Sequence, residues 1–292
     1  MNKFKYELEP YKGQTSRHTC PNCNKKKSFA RYIDNDGNYL GDDTGRCNSE
    51  SSCGYHKKPE SNEVVVSNFQ YVPPITTYLK ESDVYTEQFN DNLYKYLITR
   101  FDKDAVQSVF KKYLVMSTDK KWRNSTVFYQ KDKDGRFRTG KIIQYGTNGK
   151  RIKEPYSRIY WSHNFLDDFV LEQCLFGEHL LENFDRSKGT IYLVESEKTC
   201  LIASLFFKDD LFIATGGLSN LSPLKLSVLR GLGVDAIPDK GGYDLWKTKL
   251  EPMGISVNKV MEESETSKDG DDIGDLILTN KKPLWVNQVT TY

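Results

Sequence analysis

Three features of the 292-residue sequence predict an α+β multidomain fold. Four cysteines, Cys20-Pro-Asn-Cys23 and then Cys47 and Cys53, have the spacing of a small β module folded around zinc. Residues 189–280 alternate strand-like and helix-like runs joined by short connections, the pattern of a parallel sheet covered on both faces. Between these segments a lysine- and arginine-rich stretch passes from helical period to a hairpin. The expected organisation is a zinc-ribbon domain over 1–60, a linker over 61–74 and a mixed α/β basic helix-plus-hairpin subdomain over 75–188. A Rossmann-like parallel α/β domain follows over 189–280, with a tail over 281–292.

Composition narrows the functional classes. Hydrophobic residues at 37% and aromatics at 13% suffice for packed cores, so disorder is not expected. No apolar run is long enough to cross a bilayer, and the opening MNKFKYELEP has no signal-peptide core, so a cytoplasmic protein without membrane contact is expected. In that compartment the six cysteines read as metal ligands or thiols rather than disulfides. Cys174 and Cys200, set among apolar residues, read as small core residues. The net charge of +2 conceals segregation. Fifteen Lys/Arg stand against six Asp/Glu from Phe101 to Tyr160, and eight acids against two lysines from Glu251 to Asn280. One basic and one acidic region fit a protein that binds a polyanion and holds divalent cations.

In the first domain, Ser28–Ile33 alternates like a half-buried strand, Asp34–Gly37 is a turn signal, and Asn38–Leu40 starts a return strand. Cys20, Cys23, Cys47 and Cys53 are the expected Zn2+ ligands. The gap between the last two is wide, so His18 and His56 flank the cluster as alternatives. So small a segment buries too little surface to fold alone. Metal binding, worth roughly 10–16 kcal/mol in zinc-finger peptides, supplies its folding free energy. Lys25, Lys26, Lys27, Arg31 and Arg46, interleaved with Phe29, Tyr32 and Tyr39, suit nucleic-acid contact through phosphates and stacked bases. The plainer reading is a solvated hairpin with an aromatic mini-core.

Pro59–Pro74 is polar and proline-marked, as a linker would be. Leu93–Tyr113 carries apolar residues at helical spacing, with Asp102 or Asp104 as a cap for its second helix. Ser125–Gln130 and Phe137–Tyr145 read as strands about a turn at Lys131–Gly135. Arg136, Arg138 and Lys141, with Lys150, Arg151 and Lys153 just beyond, form a basic shelf for a phosphodiester backbone. His163 and His179 read as structural.

In the last domain the strands are Thr190–Val194, Leu211–Thr215, Val234–Pro238 and Ser256–Val260. Helices follow over Glu197–Phe207 with Ser196 as N-cap, over Ser222–Arg230, from Gly241/Gly242 to Leu250, and from Asp271 onward. Glu195 and Asp239 fall at strand ends, where such sheets gather function. If their strands are neighbours, the two carboxylates converge, with Asp244, Asp272 or Asp275 as a third. Oxygen ligands gathered this way suit Mg2+ or Mn2+. The plainer role for such acids is helix capping.

Val194-Glu195-Ser196-Glu197-Lys198-Thr199, Ala214-Thr215-Gly216-Gly217, Ile237-Pro238-Asp239 and Asp272-x-x-Asp275-Leu276 resemble the Toprim domain. They resemble above all its "VEGEKT" version from phage and mobile-element proteins. Together with the zinc ribbon and basic hairpin, the chain from Cys20 to Leu278 is similar to bacterial and phage primases. The resemblance implies that Glu195 is a general base or metal ligand, Asp239 the first acid of an Asp-x-Asp motif, and Lys198 a phosphate contact. Three positions depart from the pattern: Gly241 replaces the second acid of that motif, Ser196 a glycine, and Thr199 an aspartate of many primases.

The implied function is primer synthesis by metal-dependent nucleotidyl transfer on single-stranded DNA, with nucleoside triphosphates as substrates and Glu195, Asp239, Asp272 and Asp275 about Mg2+ or Mn2+. No Gly-x-x-x-x-Gly-Lys-Ser/Thr loop occurs, so unwinding would fall to a separate replicative helicase. The alternatives are a non-catalytic DNA-binding accessory protein with a depleted site and a metal-dependent nuclease.

Overall fold

The computed structural model describes residues 6–10, 16–34, 37–49, 53–59, 76–84, 88–218 and 220–279. The linker expected at 61–74, the tail at 281–292 and the turn residues Asn35 and Asp36 lie outside the described residues. Two compact units divide the chain, residues 1–73 and 74–292.

The first unit is a four-stranded antiparallel sheet of β1 (Tyr6–Leu8), β2 (Phe29–Asp34), β3 (Gly45–Cys47) and β4 (His56–Lys57), in that order. The return strand is not Asn38–Leu40. Tyr39 makes a single bridge to Ile33, while β3 pairs Cys47 with Phe29 and Gly45 with Arg31. Tyr39 and Leu40 are exposed and have no core to face, whereas β3 delivers Cys47 into a buried cluster with Cys20 and Phe29. Gly45 permits that pairing. A Cβ there would stand 2.2 Å from the Ala30 carbonyl oxygen and 2.7 Å from the Phe29 ring.

The second unit opens with α1 (Asn92–Leu97) and α2 (Lys103–Lys112). Fully buried Asp91 caps α1 by accepting from the amides of Leu93 and Tyr94, and its carboxylate also takes hydroxyl bonds from Ser117 and Thr126. Asp102, rather than Asp104, caps α2 through the Ala105 amide at 2.9 Å. A meander of β5 (Val115–Thr118), β6 (Ser125–Lys131), β7 (Phe137–Ile143) and β8 (Ile159–Trp161) forms an antiparallel sheet in sequence order. Strand alternation sends Phe128 and Ile143 into the main core and Val127, Tyr129 and Ile142 into a smaller cluster with Leu79 and Met116.

A wholly parallel sheet follows: β9 (Ile191–Val194), β10 (Leu211–Ala214), β11 (Val234–Ile237) and β12 (Ser256–Val257), ordered β10-β9-β11-β12. Its helices are α3 (Glu197–Phe206), α4 (Pro223–Leu226), α5 (Tyr243–Leu250) and α6 (Ile273–Leu278). The helix expected to reach Arg230 is four residues long and passes into a 3-10 turn at Ser227–Leu229. The chain steps from β9 to β10 on one side, then crosses to β11 on the other. The carboxyl end of β9 is therefore a topological switch point, where open α/β sheets place ligands.

One hydrophobic core joins the two sheets of this unit, with Phe110, Tyr113, Phe128 and Phe176 in the same cluster as Leu193, Phe212 and Trp246. Tyr113 donates its hydroxyl to the Phe212 carbonyl at 2.8 Å and lies 2.9 Å from the Ser204 hydroxyl. Residues on either side of position 188 thus share their interior. Among the described residues no helix is long and apolar enough to cross a membrane.

Candidate functional site

The four cysteines of the ribbon converge, with Sγ atoms of Cys20, Cys23, Cys47 and Cys53 all within 4.8 Å of one another. The knuckle presents Cys20 and Cys23, β3 presents Cys47, and the loop before β4 presents Cys53. Polar hydrogens point at the sulfurs, the Asn22 amide at Cys53 and the Ser49 backbone N–H at Cys47, each at 3.4 Å. The Asn22 bond is the largest influence holding the Cys53 thiol down to about 6. Four soft donors, two of them (Cys47 and Cys53) receiving N–H bonds that favour the thiolate, fit a tetrahedral zinc ion. His18 and His56 do not join them. His18 pairs with Glu9 at 3.2 Å, and His56 lies 3.0 Å from the Tyr32 hydroxyl. On the same unit Lys25, Lys26 and Lys27 are exposed, and Arg31 pairs with Asp42 at 2.9 Å while lying over the Tyr39 ring.

In the second unit an open cleft of about 940 Å³ lies at the carboxyl ends of β9 and β11. Glu195 follows β9 and Asp239 follows β11, and because those strands are paired both carboxyl groups line the cleft, each within reach of the other's charge. Burial and then the neighbouring Glu195 and Asp272 charges push Asp239 up to about 9, and burial also raises Glu195.

Asp272 and Asp275 line the same cleft but are committed to the start of α6. Asp272 accepts from the Asp275 amide at 3.0 Å and from the Thr199 hydroxyl at 2.6 Å, while Asp275 accepts from the Asp272 amide at 3.2 Å. This is a reciprocal capping box. Among the described residues only the four cysteines bring three or more such donor atoms within 4.8 Å of one another. The carboxylates therefore stand as a pair, Glu195 with Asp239, beside a capping pair. Two hard-oxygen carboxylates with room for waters and phosphate oxygens fit Mg2+ or Mn2+. Gly241 adopts φ +90 in open space, and its amide donates to Glu262 at 2.7 Å. Backbone geometry at that position thus differs from what a second aspartate would favour.

The basic shelf needs correction. Arg136 is held by Asp132 at 3.0 Å and by Asp134, and Arg138 by Asp132 at 2.7 Å and Glu172 at 2.9 Å. Both guanidiniums lie over the Tyr78 ring, so they brace the hairpin rather than offer charge to a ligand. Lys141 is buried against Glu197. Exposed cations lining the cleft are instead Arg100, Lys150, Arg151 and Lys153, with Lys198 on the acidic side.

A second basic surface escaped the sequence reading. Around β8, Lys121 lies 4.2 Å from the Tyr160 ring centre, and Arg158 lies over both Trp122 and Tyr156. Tyr156 is 56% exposed. The signal was the alternation Tyr156-Ser-Arg158-Ile-Tyr160 and the run Lys120-Lys121-Trp122-Arg123. Aromatic faces among cations are what an unpaired nucleic-acid strand needs.

A family model described as a domain of unknown function, DUF6371, matches residues 91–240, and a zinc beta-ribbon finger model matches residues 4–66. Comparison with curated proteins returned no match. Among solved structures, the chain is similar to the zinc-binding and RNA polymerase domains of the Aquifex aeolicus primase, at 16% identity and TM-score 0.42, covering 65% of this chain and 58% of that one. It is also similar to the primase fragment of the bacteriophage T7 primase-helicase protein, at 13% identity and TM-score 0.42, covering 91% and 95%. A third similarity is to the RNA polymerase domain of the Mycobacterium tuberculosis primase DnaG, at 12% identity and TM-score 0.38, covering 68% and 65%.

Proposed function

The chain belongs to the DUF6371 family, and from its cleft and sequence motifs we propose a primase-like nucleotidyltransferase that makes short primers on single-stranded DNA from nucleoside triphosphates. The observation that carries this reading is the Glu195–Asp239 carboxyl pair at the switch point of a parallel sheet, in a cleft also lined by exposed Arg100, Lys150, Arg151 and Lys153. Acids and cations lining one cleft suit a reaction in which one polyanion is extended by another. The Toprim-like motifs at Glu195, Asp239 and Asp272 support the same chemistry.

In this reading a bound Mg2+ or Mn2+ supplies charge stabilisation at the reacting phosphate, and Glu195 and Asp239 hold it. Glu195 takes the proton of a primer 3′-hydroxyl as its oxygen bonds the α-phosphorus and pyrophosphate departs. Arg151 and Lys153 receive the triphosphate, and Lys198 contacts phosphate from the acidic wall. Trp122, Tyr156 and Tyr160 stack template bases, with Lys121 and Arg158 on the backbone. The zinc ribbon, through Lys25–Lys27 and Arg31, adds template contact.

Gly241 favours one competing reading, a DNA-binding accessory protein without catalysis. A single assay separates them. The protein is incubated with single-stranded DNA, ribonucleotides and Mg2+ or Mn2+, beside Glu195→Gln. Short oligonucleotides made by the native protein and absent from the variant are the expected result. Shortened DNA assigns a nuclease instead, and DNA that is bound equally and unchanged by both proteins assigns the accessory role.

A further inference from the structure

Lys141 reaches from β7 of the antiparallel sheet into the acidic cleft and is 6% exposed. Its Nζ lies 3.1 and 3.0 Å from the two oxygens of Glu197 and 2.9 Å from the Gly216 carbonyl oxygen. Glu197, 2% exposed, opens α3 two residues after Glu195, and the Gly216 amide in turn donates to the Glu195 carbonyl at 2.9 Å. The ammonium thus sits among three oxygens, two from a carboxylate and one from the backbone, as a bound cation would.

We propose that Lys141 is a resident cation of the cleft, satisfying Glu197 so that the site takes a single exchangeable divalent ion, at Glu195 and Asp239. This rests on the divalent-ion reading of the preceding section and fixes its stoichiometry. The acids that flank the pair on its own sheet and helices are already engaged, and of the remaining acids of the cleft Asp271 accepts from the Lys268 amide while Glu154 is exposed. Glu197 is neutralised by Lys141, Asp272 and Asp275 close the cap of α6, and position 241 brings no carboxylate. Lys141 is therefore a positioning residue. It holds the turn after β10 and the start of α3 in place without contacting the reacting atoms.

Removing only the ammonium leaves Glu197 a buried carboxylate without its bonded cation, since Lys225 is bonded to the Thr215 carbonyl and acts on it only at a distance, and such a carboxylate attracts a replacement cation. Lys141→Met keeps the length of the side chain without its charge. The double variant Lys141→Met/Glu197→Gln removes both charges with little change of volume and leaves nothing for a cation to satisfy.

The test counts Mn2+ on the full, zinc-loaded chain by electron paramagnetic resonance titration, with zinc content measured in parallel. The native chain is expected to take a single Mn2+, Lys141→Met a second, and the double variant a single ion again. A second Mn2+ on the native chain overturns the proposal and leaves the nucleotidyl-transfer reading standing. No Mn2+ on the native chain removes the Glu195–Asp239 site and with it both readings. Should Lys141→Met fold with its count unchanged, Lys141 is only a packing element. Should it fail to fold, the folded double variant decides: a single Mn2+ on it supports the proposal and a second overturns it.

Discussion

Asp239 is where packing and charge conflict most sharply. Its carboxyl is held up to about 9, first by burial and then by Glu195 and Asp272, whereas an unfolded aspartate titrates near ~4. A folded value above the unfolded one means the native state binds the extra proton. The stability tied to neutral Asp239 is full below about pH 4 and is lost as pH rises toward about 9, by at most ~1.4 kcal/mol per pH unit. Without divalent ions the second unit should melt at lower temperature at pH 8.5 than at pH 6, and Asp239→Asn should flatten that slope. Added Mn2+ should restore most of the loss at high pH, because the ion replaces the proton. Calorimetry at the two pH values, in metal-free buffer and with Mn2+, reads each effect, and a slope unchanged in Asp239→Asn would remove Asp239 as its source. Glu195 and Asp239 were legible in sequence because strand-end acids follow from the alternation of the parallel sheet. The fate of Lys141, Arg136 and Arg138 was not. Whether a cation faces solvent or a carboxylate depends on partners up to 75 residues away, such as Gly216 for Lys141.

At the level of elements, the ribbon was legible where chemistry dictates structure and illegible where only packing does. Cysteine spacing marked the four sulfurs that converge, and the alternation of Phe29–Ile33 marked β2. The three-residue β1 and the pairing through Gly45 carried no periodic signal, because strands this short have too few side chains to alternate. Cys20, Phe29 and Cys47 are the only fully or nearly fully buried apolar residues of the ribbon's described core cluster, with Cys53 and Tyr55 packed against them. Full burial of one such side chain contributes only about 1.5–3 kcal/mol, against roughly 10–16 kcal/mol for structural zinc. Cys47→Ser should therefore lose zinc and unfold β2 and β3 while the unit beginning at residue 74 keeps its structure. Zinc content together with amide NMR of the full chain checks this. Retention of zinc by the variant would mean that Cys47 is not a ligand.

For the whole molecule, the decisive question is which segment carries its own interior. Read from its pattern, 189–280 is a domain, since four parallel strands with covering helices normally close a core. In the structure the partners of that sheet come from earlier in the chain. Phe176 bridges to Ala214 at the edge of β10, Tyr113 is bonded to Phe212 and Ser204, and Lys141 neutralises Glu197. A fragment starting at 189 would expose the apolar surface that Tyr113, Phe128 and Phe176 cover. At about 1.5–3 kcal/mol for each large side chain, that loss alone is comparable to the ~5–15 kcal/mol stability of a domain. It would also strand Glu197 without its cation, a further cost of about 3–5 kcal/mol. Residues 74–292 should accordingly yield a folded protein with a cooperative melt, whereas 189–292 should be unfolded or aggregated. Near-ultraviolet circular dichroism and size-exclusion chromatography of the two fragments distinguish these outcomes. A compact, cooperatively melting 189–292 would show that the parallel sheet closes its own core and that the antiparallel sheet only docks upon it. The acidic pair and the basic side of the cleft would then belong to separable bodies.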